Sequence, residues 1–211
     1  MTERTPAAPN SGPVLGPIYI SEVHYAPTGP SSHEFVELTN NGDELTSLEF
    51  WKLRGGLDLD LTSDHSLAPG ESLVIVTFDP VLDTDLASDF RSTFNIDGGV
   101  TLIGPATDGP LNDTKGTVRL QRGTSLDGSD QVTVDEVRYL TTSPWLPANG
   151  GSSLNRNGTL EFGNFAASWN ISLPSPGMVT TTEDYATWAN ANNVNAEEED
   201  PDGDYLSNII E

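Results

Sequence analysis

Carboxylates recur at alternate positions in the segment "DPDGDYLSNIIE", residues 200–211. With Asp200 in the first place of a loop, Asp202 falls third, Asp204 fifth, Leu206 seventh, Asn208 ninth and Glu211 twelfth. Calcium takes about six to eight oxygen ligands in a flexible shell, and short carboxylates on alternate residues of a tight loop supply them. Leu206 would contribute its backbone carbonyl and Glu211 would close the site with two oxygens. Tyr205 stands sixth, where such loops use glycine to reach positive φ, so the expected calcium loop carries a strained position. The alternative is a solvated acidic tail, the usual state of an acidic run.

A second group that could do chemistry is Glu22, His24, His33, Glu34 and Glu37. Glu22 and His24 occupy alternate positions and share one face of a strand. Converging His and carboxylate groups could hold a metal or act as acid and base, so a metal-dependent hydrolase built on Glu22, His24, Glu34 and Glu37 is one alternative reading. The simpler one makes them structural. Glu34 shares a strand face with Val36 and Leu38, and Glu37 shares the other with Phe35, which suits carboxylates that accept loop amides. Nucleophile motifs are missing: there is no G-x-S-x-G, no cysteine, and His24, His33 and His65 are the only imidazoles. A second alternative is a glycan-binding sandwich in which Trp51, Trp145, Trp169 and Trp188 form a stacking platform; core packing is the simpler role for each. The sequons at Asn112, Asn157 and Asn170 are short enough to arise by chance.

The elements that would carry these groups are strands. The chain has 211 residues, 35% hydrophobic, with 20 Gly and 15 Pro, a profile of short strands and turns in a single domain with appendages. The runs "PIYISEVHY", "HEFVELTN", "FWKLRG", "ESLVIVTF", "TVRLQR" and "QVTVDEVRYL" read as strands, and "APG" before the fourth is a turn signal. In the last run Val132 and Val134 share one phase and Val137 and Tyr139 the other, so a bulge is expected near Asp135 and Glu136. "VLDTDLASDFRSTF" can hold a short helix, and "IDGGVTLIGPATDGPLNDTKG" reads as a long loop. An antiparallel β-sandwich is the expected fold. Residues 1–16 read as disordered linker, 17–173 as the sandwich, and 174–211 as linker, a short helix bearing Tyr185 and Trp188, and the acidic loop.

Charge excludes some partners. Nine Lys and Arg stand against 32 Asp and Glu, a formal net charge of −23, which repels nucleic acid at long range and suits divalent cations. No stretch approaches the roughly 20 apolar residues of a membrane helix, and the opening lacks the basic start and apolar run of a signal peptide. Without cysteine there is no disulfide framework or zinc-thiolate site.

Taken in order, "IYISEVHYAP", "HEFVELTNNGDELTSLEFWKL", "LAPGESLVIV", "LNDTKGTVRLQ", "VDEVRYLTTSPWLPANGGSSLNRNG" and "NFAASW" resemble a lamin tail domain of the bacterial, exported kind, over roughly residues 17–173. Ile20, Glu22 and Tyr25 fall on the family's first strand, Glu34, Phe35, Glu37, Leu38 and Asn40 on its second, and Trp51 and Leu53 on its third. Pro69 and Gly70 fit a turn, and Trp145, Ser153, Leu154 and Trp169 fit the end. The resemblance implies an immunoglobulin-like sandwich without catalysis, serving as an interaction or anchoring module of an exported or surface multidomain protein whose partners are other domains, surface proteins or glycans. Where the family often has glycine before the third strand's Trp, this chain has Phe50. Nothing here has the sustained heptads of the coiled-coil rod found in nuclear lamins. The terminal segment resembles the EF-hand-like or thrombospondin-type calcium repeats of bacterial exported proteins, which implies Ca2+ as the ligand. The exit helix of such a loop has barely one turn in this sequence, so the chain reads as part of a longer polypeptide.

Overall fold

The computed structural model describes residues 15–125, 130–157 and 161–178. Residues 1–14 of the expected 1–16 linker, the Tyr185/Trp188 helix and the acidic loop lie outside them. Within the segment read as linker, Leu15 is buried.

Two strands organise the molecule. β1 (Ile18–His24) pairs antiparallel with β2 (Phe35–Asn40), and the register slips between Ile20 and Glu22. That bulge reverses the strand's phase: Ile18 and Ile20 enter the core before it, Val23 and Tyr25 after it. β2 alternates without interruption, with Val36 and Leu38 in the main core and Phe35 in a second one. The remaining strands are β3 (Thr46–Ser47), β4 (Trp51–Arg54), β5 (Leu59–Asp60), β6 (Ser66–Leu67), β7 (Ser72–Val76), β8 (Thr101–Ile103), β9 (Lys115–Arg122), β10 (Val132–Leu140), β11 (Ser153–Arg156) and β12 (Trp169–Ser172). One sheet runs β12-β11-β1-β2-β7-β8 and another β10-β9-β4-β5, while β3 and β6 form a small third. The two larger sheets enclose a core that includes Leu38, Ile75, Trp51, Leu53, Val118, Leu120 and Val137. Tyr25 stacks on Tyr139 within it, ring centroids 4.2 Å apart.

The fold is the expected antiparallel β-sandwich, with one parallel pairing at an edge of the larger sheet. β8, inside a stretch read as loop, pairs parallel with β7. A parallel neighbour needs a crossover connection, and α1 (Thr84–Phe94) supplies it. Ala87, Phe90 and Phe94 lie on one side of this helix and pack over Phe35, Val74 and Val76 on the sheet's outer face. The helix ends at Asn95, whose φ of 54° is the left-handed value common after a helix. The "APG" turn forms as expected: the Glu71 N–H bonds the Ala68 carbonyl at 3.0 Å, with Pro69 second and Gly70 third at φ +75°, the type II pattern.

The expected bulge in β10 is present between Thr133 and Asp135, and it faces the bulge of β1. Asp135 is fully buried and ion-paired to Arg156 of β11, whose side chain is 3% exposed. The carboxylate also accepts the N–H groups of Ile20 at 3.0 Å and Gly163 at 2.9 Å. The guanidinium donates to the Ile20 carbonyl at 2.9 and 3.1 Å and lies 4.4 Å from the Trp169 ring centroid. Removing one member of a buried pair strands the other charge, a loss of about 3–5 kcal/mol. Arg156→Ala is therefore expected to lower the urea midpoint severely. Asp135→Asn combined with Arg156→Met is expected to cost less than Arg156→Ala alone, and the reverse order in equilibrium denaturation would contradict this account.

Phe50 adopts the left-handed backbone that favours glycine. Its φ is +64°, a region costing roughly 1–2 kcal/mol for a residue with a Cβ. Its carbonyl accepts the Gly123 N–H at 3.2 Å, and the Trp51 N–H bonds Leu48 O at 3.0 Å, so the turn is anchored on both sides. Phe50→Gly is expected to stabilise the fold by about 0.5–1 kcal/mol once glycine's own entropy is counted, read as a higher urea midpoint with unchanged slope.

Candidate functional site

Of the carboxylates singled out in the sequence, Glu22 and Glu37 come together and Glu34 does not. Glu34 lies at the start of β2 and turns to the Leu111 amide, 2.5 Å from its oxygen. Glu22 and Glu37 are register partners across β1 and β2 and lie on the outer face of the six-stranded sheet. The β1 bulge puts Ser21 on this face as well, and the Ser21 hydroxyl donates to Glu37 at 2.5 Å.

Each of these two acids is bound by hydroxyls and by the segment that follows β12. Glu22 accepts the Ser153 hydroxyl at 2.5 Å, the Ser175 N–H at 3.0 Å and the Ser175 hydroxyl at 3.1 Å. Glu37 accepts the Gly177 N–H at 2.6 Å. Thr39 and Ser72 share a 2.6 Å hydrogen bond beside it, and Thr39 also donates to Ser21 at 2.8 Å. Burial raises the Glu22 carboxyl against the pull of Ser153 and Ser175. Burial likewise pushes Glu37 up to about 7, with the neighbouring Glu22 charge adding to the rise, and pushes Glu34 up to about 7.

The histidines do other work. His24 Nδ1 is 3.0 Å from the Ser152 carbonyl, and burial holds the ring neutral by lowering its pKa to about 4. His33 Nε2 lies 2.7 Å from Asp89 Oδ2, joining a short 3₁₀ turn (Ser31–His33) to α1. Both rings meet Phe94 edge-on, and both line a cleft of about 300 Å³ with Thr28 and Leu173. Among the described residues no group of three or more His, Asp and Glu side chains could hold a metal ion. The hydrolase alternative built on Glu22, His24, Glu34 and Glu37 therefore loses its metal cluster, because strand alternation sends Glu34 away from the other three. The sugar platform is not formed by the described tryptophans either: Trp51, Trp145 and Trp169 are 2%, 7% and 4% exposed. Trp188 lies outside the described residues, as do the proposed calcium ligands Asp200, Asp202, Asp204, Leu206, Asn208 and Glu211.

What sequence reasoning missed is the Asp135–Arg156 pair. One signal was available: Asp135 shares the phase of Val137 and Tyr139, and an acid in the core phase of a strand must be paired.

Two sheets packed face to face around one core, with polar groups spent on loops, define an immunoglobulin-like module. The Lamin Tail Domain family model matches residues 12–140, and the chain belongs to that family. A comparison with curated proteins found no match. The match ends at β10, in the four-stranded sheet, whereas β11 and β12, beyond the match, extend the six-stranded sheet from β1. Among the described residues no helix is long and apolar enough to cross a membrane.

The perturbed groups set opposing pH slopes. His24, neutral when folded, contributes stability that is present above its ordinary value of 6.5 and is lost as pH falls toward about 4. Glu34 and Glu37, raised when folded, contribute stability that is full below 4.5 and is lost as pH rises through about 7. Two carboxyls outweigh one imidazole, so the urea midpoint is expected to peak near pH 4.5 and fall toward pH 8. Glu34→Gln should flatten the fall, and an equal fall in that variant would refute the assignment.

Proposed function

We propose that the chain is a non-catalytic interaction or anchoring module of an exported or surface-associated multidomain protein, with calcium bound at the C-terminal acidic loop. The observation that carries this reading is where the reactive side chains and the exposed apolar ones lie. Glu22, Glu34 and Glu37 are hydrogen-bonded to loop amides, and His24 and His33 are bonded internally. Apolar side chains, by contrast, stand in solvent on a loop of fixed shape: Val81 and Leu82 are each 79% exposed. Asp79 holds that loop by accepting the Val81 and Leu82 amides at 2.9 and 3.0 Å, and Asp83 accepts the Asp79 amide at 3.2 Å. Large apolar side chains held out in this way favour contact with another surface. Family membership supports the same reading.

The test attaches the chain to an exported reporter and measures the reporter retained at the cell surface. Retention above the reporter alone, reduced by Val81→Asp with Leu82→Asp while the urea midpoint stays unchanged, is expected; retention equal to the bare reporter would overturn the proposal. The calcium part is separable. Calorimetric titration of metal-stripped chain should give saturable binding that Asp202→Ala with Asp204→Ala abolishes. Heat indistinguishable from dilution up to millimolar calcium would remove calcium from the function and leave the module.

A further inference from the structure

After β12 the chain does not leave the sheet. Residues 173–178 cross its outer face as a strap. Ser175 bonds Glu22 on β1, its hydroxyl also reaches Asn155 of β11 at 3.3 Å, and Gly177 bonds Glu37 on β2. A Cβ placed on Gly177 would come within 2.4 Å of Val100, just ahead of β8. The strap thus spans from the β12 edge to the β8 side of a six-stranded sheet. It closes with a turn in which the Met178 N–H bonds Ser175 O at 3.0 Å, with Gly177 at φ +74°.

Its two anchors form an unusual pair. Glu22 and Glu37 are cross-strand partners, 2% and 4% exposed. The groups facing them are Ser21 from β1, Thr39 from β2, Ser153 and Asn155 from β11, and Ser175 and Gly177 from the strap, with Ser72 of β7 behind Thr39. None of these is a cation. The titratable neighbours on this side of β1 are Tyr19, itself raised by burial, which feels Glu37 against the opposing Arg156 charge, and His24, which burial holds neutral by lowering its pKa to about 4. Arg156 is committed to Asp135 and the Ile20 carbonyl.

We propose that the 173–178 strap is a proton-controlled latch, seated on Glu22 and Glu37 while at least one of them is protonated and loosened when both are ionised. Two carboxylates side by side in a dehydrated layer cannot both ionise without mutual repulsion. A single proton removes the repulsion and keeps an acceptor for each strap amide. When the strap lifts, water reaches both groups and they ionise at ordinary values. Seating therefore takes up protons. Its free energy is full below about pH 4.5, the ordinary glutamate value, and declines as pH rises through about 7, where burial places Glu37. This inference concerns the sheet and its strap and stands independently of the proposed function.

Hydrogen exchange of the whole chain, followed by mass spectrometry at pH 5 and pH 8 and corrected for intrinsic rates, reads the latch directly. Protection of the Ser175 and Gly177 amides should fall at least tenfold between the two pH values, while amides of β7 lose much less. Glu37→Gln keeps an acceptor oxygen but cannot ionise, so its strap protection should vary less than threefold over the same range. Gly177→Ala, strained at its φ and against Val100, should leave the strap unprotected at both pH values. Equal wild-type protection at pH 5 and pH 8 would overturn the proposal. So would loss in step with β7, which marks global unfolding, or a pH response in Glu37→Gln as steep as in wild type.

Discussion

The fold turns on a charge pair that fills a gap in a backbone ladder. Ile20, beside the bulge in β1, keeps its register partner on β2 but has none on β11. Asp135 accepts its N–H and Arg156 donates to its carbonyl, and the two side chains pair with each other. An unpaired buried amide or carbonyl costs about 1–3 kcal/mol, so a bulge here without these residues would be strongly disfavoured. Asp135 reaches Ile20 because β10 has a bulge of its own, and Arg156 reaches it because β11 lies beside β1. Two irregular strands and one ion pair form a single unit that ties one sheet to the other. Burial lowers the Arg156 pKa and the Asp135 charge opposes that fall.

The bulge also decides what the outer face of the large sheet becomes. With β1 reversed in phase, Ser21, Glu22 and His24 all point away from the sandwich core and join Phe35, Glu37 and Thr39 of β2. That face divides into halves. Toward β8 and the end of β2 that carries Phe35, the apolar residues Phe35, Val74 and Val76 are capped by the aromatic side of α1. Toward β11 the residues are carboxylates and hydroxyls, and the covering element is the strap. Each half is covered by the kind of element its chemistry can hold: a helix with an apolar stripe on one side, a backbone with free amides on the other.

Much of this was legible in the sequence because it is local. β1, β2, β4, β7, β9 and β10 follow from alternation and turn signals, and the β10 bulge from the phase change between Val134 and Val137, while α1 falls in the segment read as able to hold a short helix. The structural role of Glu34 and Glu37 was legible for the same reason, since their strand faces point in opposite directions. The misses are non-local or short. β8 has three residues and exists only because α1 returns the chain parallel to β7. β11 and β12 have four residues each, with Asn, Ser and Arg interrupting any apolar rhythm. The strap bonds join residues 153 and 140 positions apart, a separation over which no periodicity carries information. Phe50 shows the converse: a residue type that argues against a left-handed turn was overruled by the anchors on either side of it.

The buried acids answer a need that the surface acids do not share. Most of the acids among the described residues are exposed to water, and their effect is on solubility and long-range partners. Glu22 and Glu37 lie instead where a hydrocarbon side chain would pack but would strand the Ser175 and Gly177 amides. A glutamine would supply one oxygen and two hydrogens that themselves need acceptors. A carboxylate offers about four lone-pair sites and no hydrogens, and Glu22 uses them for Ser153 and for both donors of Ser175. The requirement is for acceptors packed densely at one point, and among the side chains only an acid meets it. Its consequence is a pair of ionisable groups without a cation, so the covering of this face is coupled to protons by the same geometry that makes the covering possible.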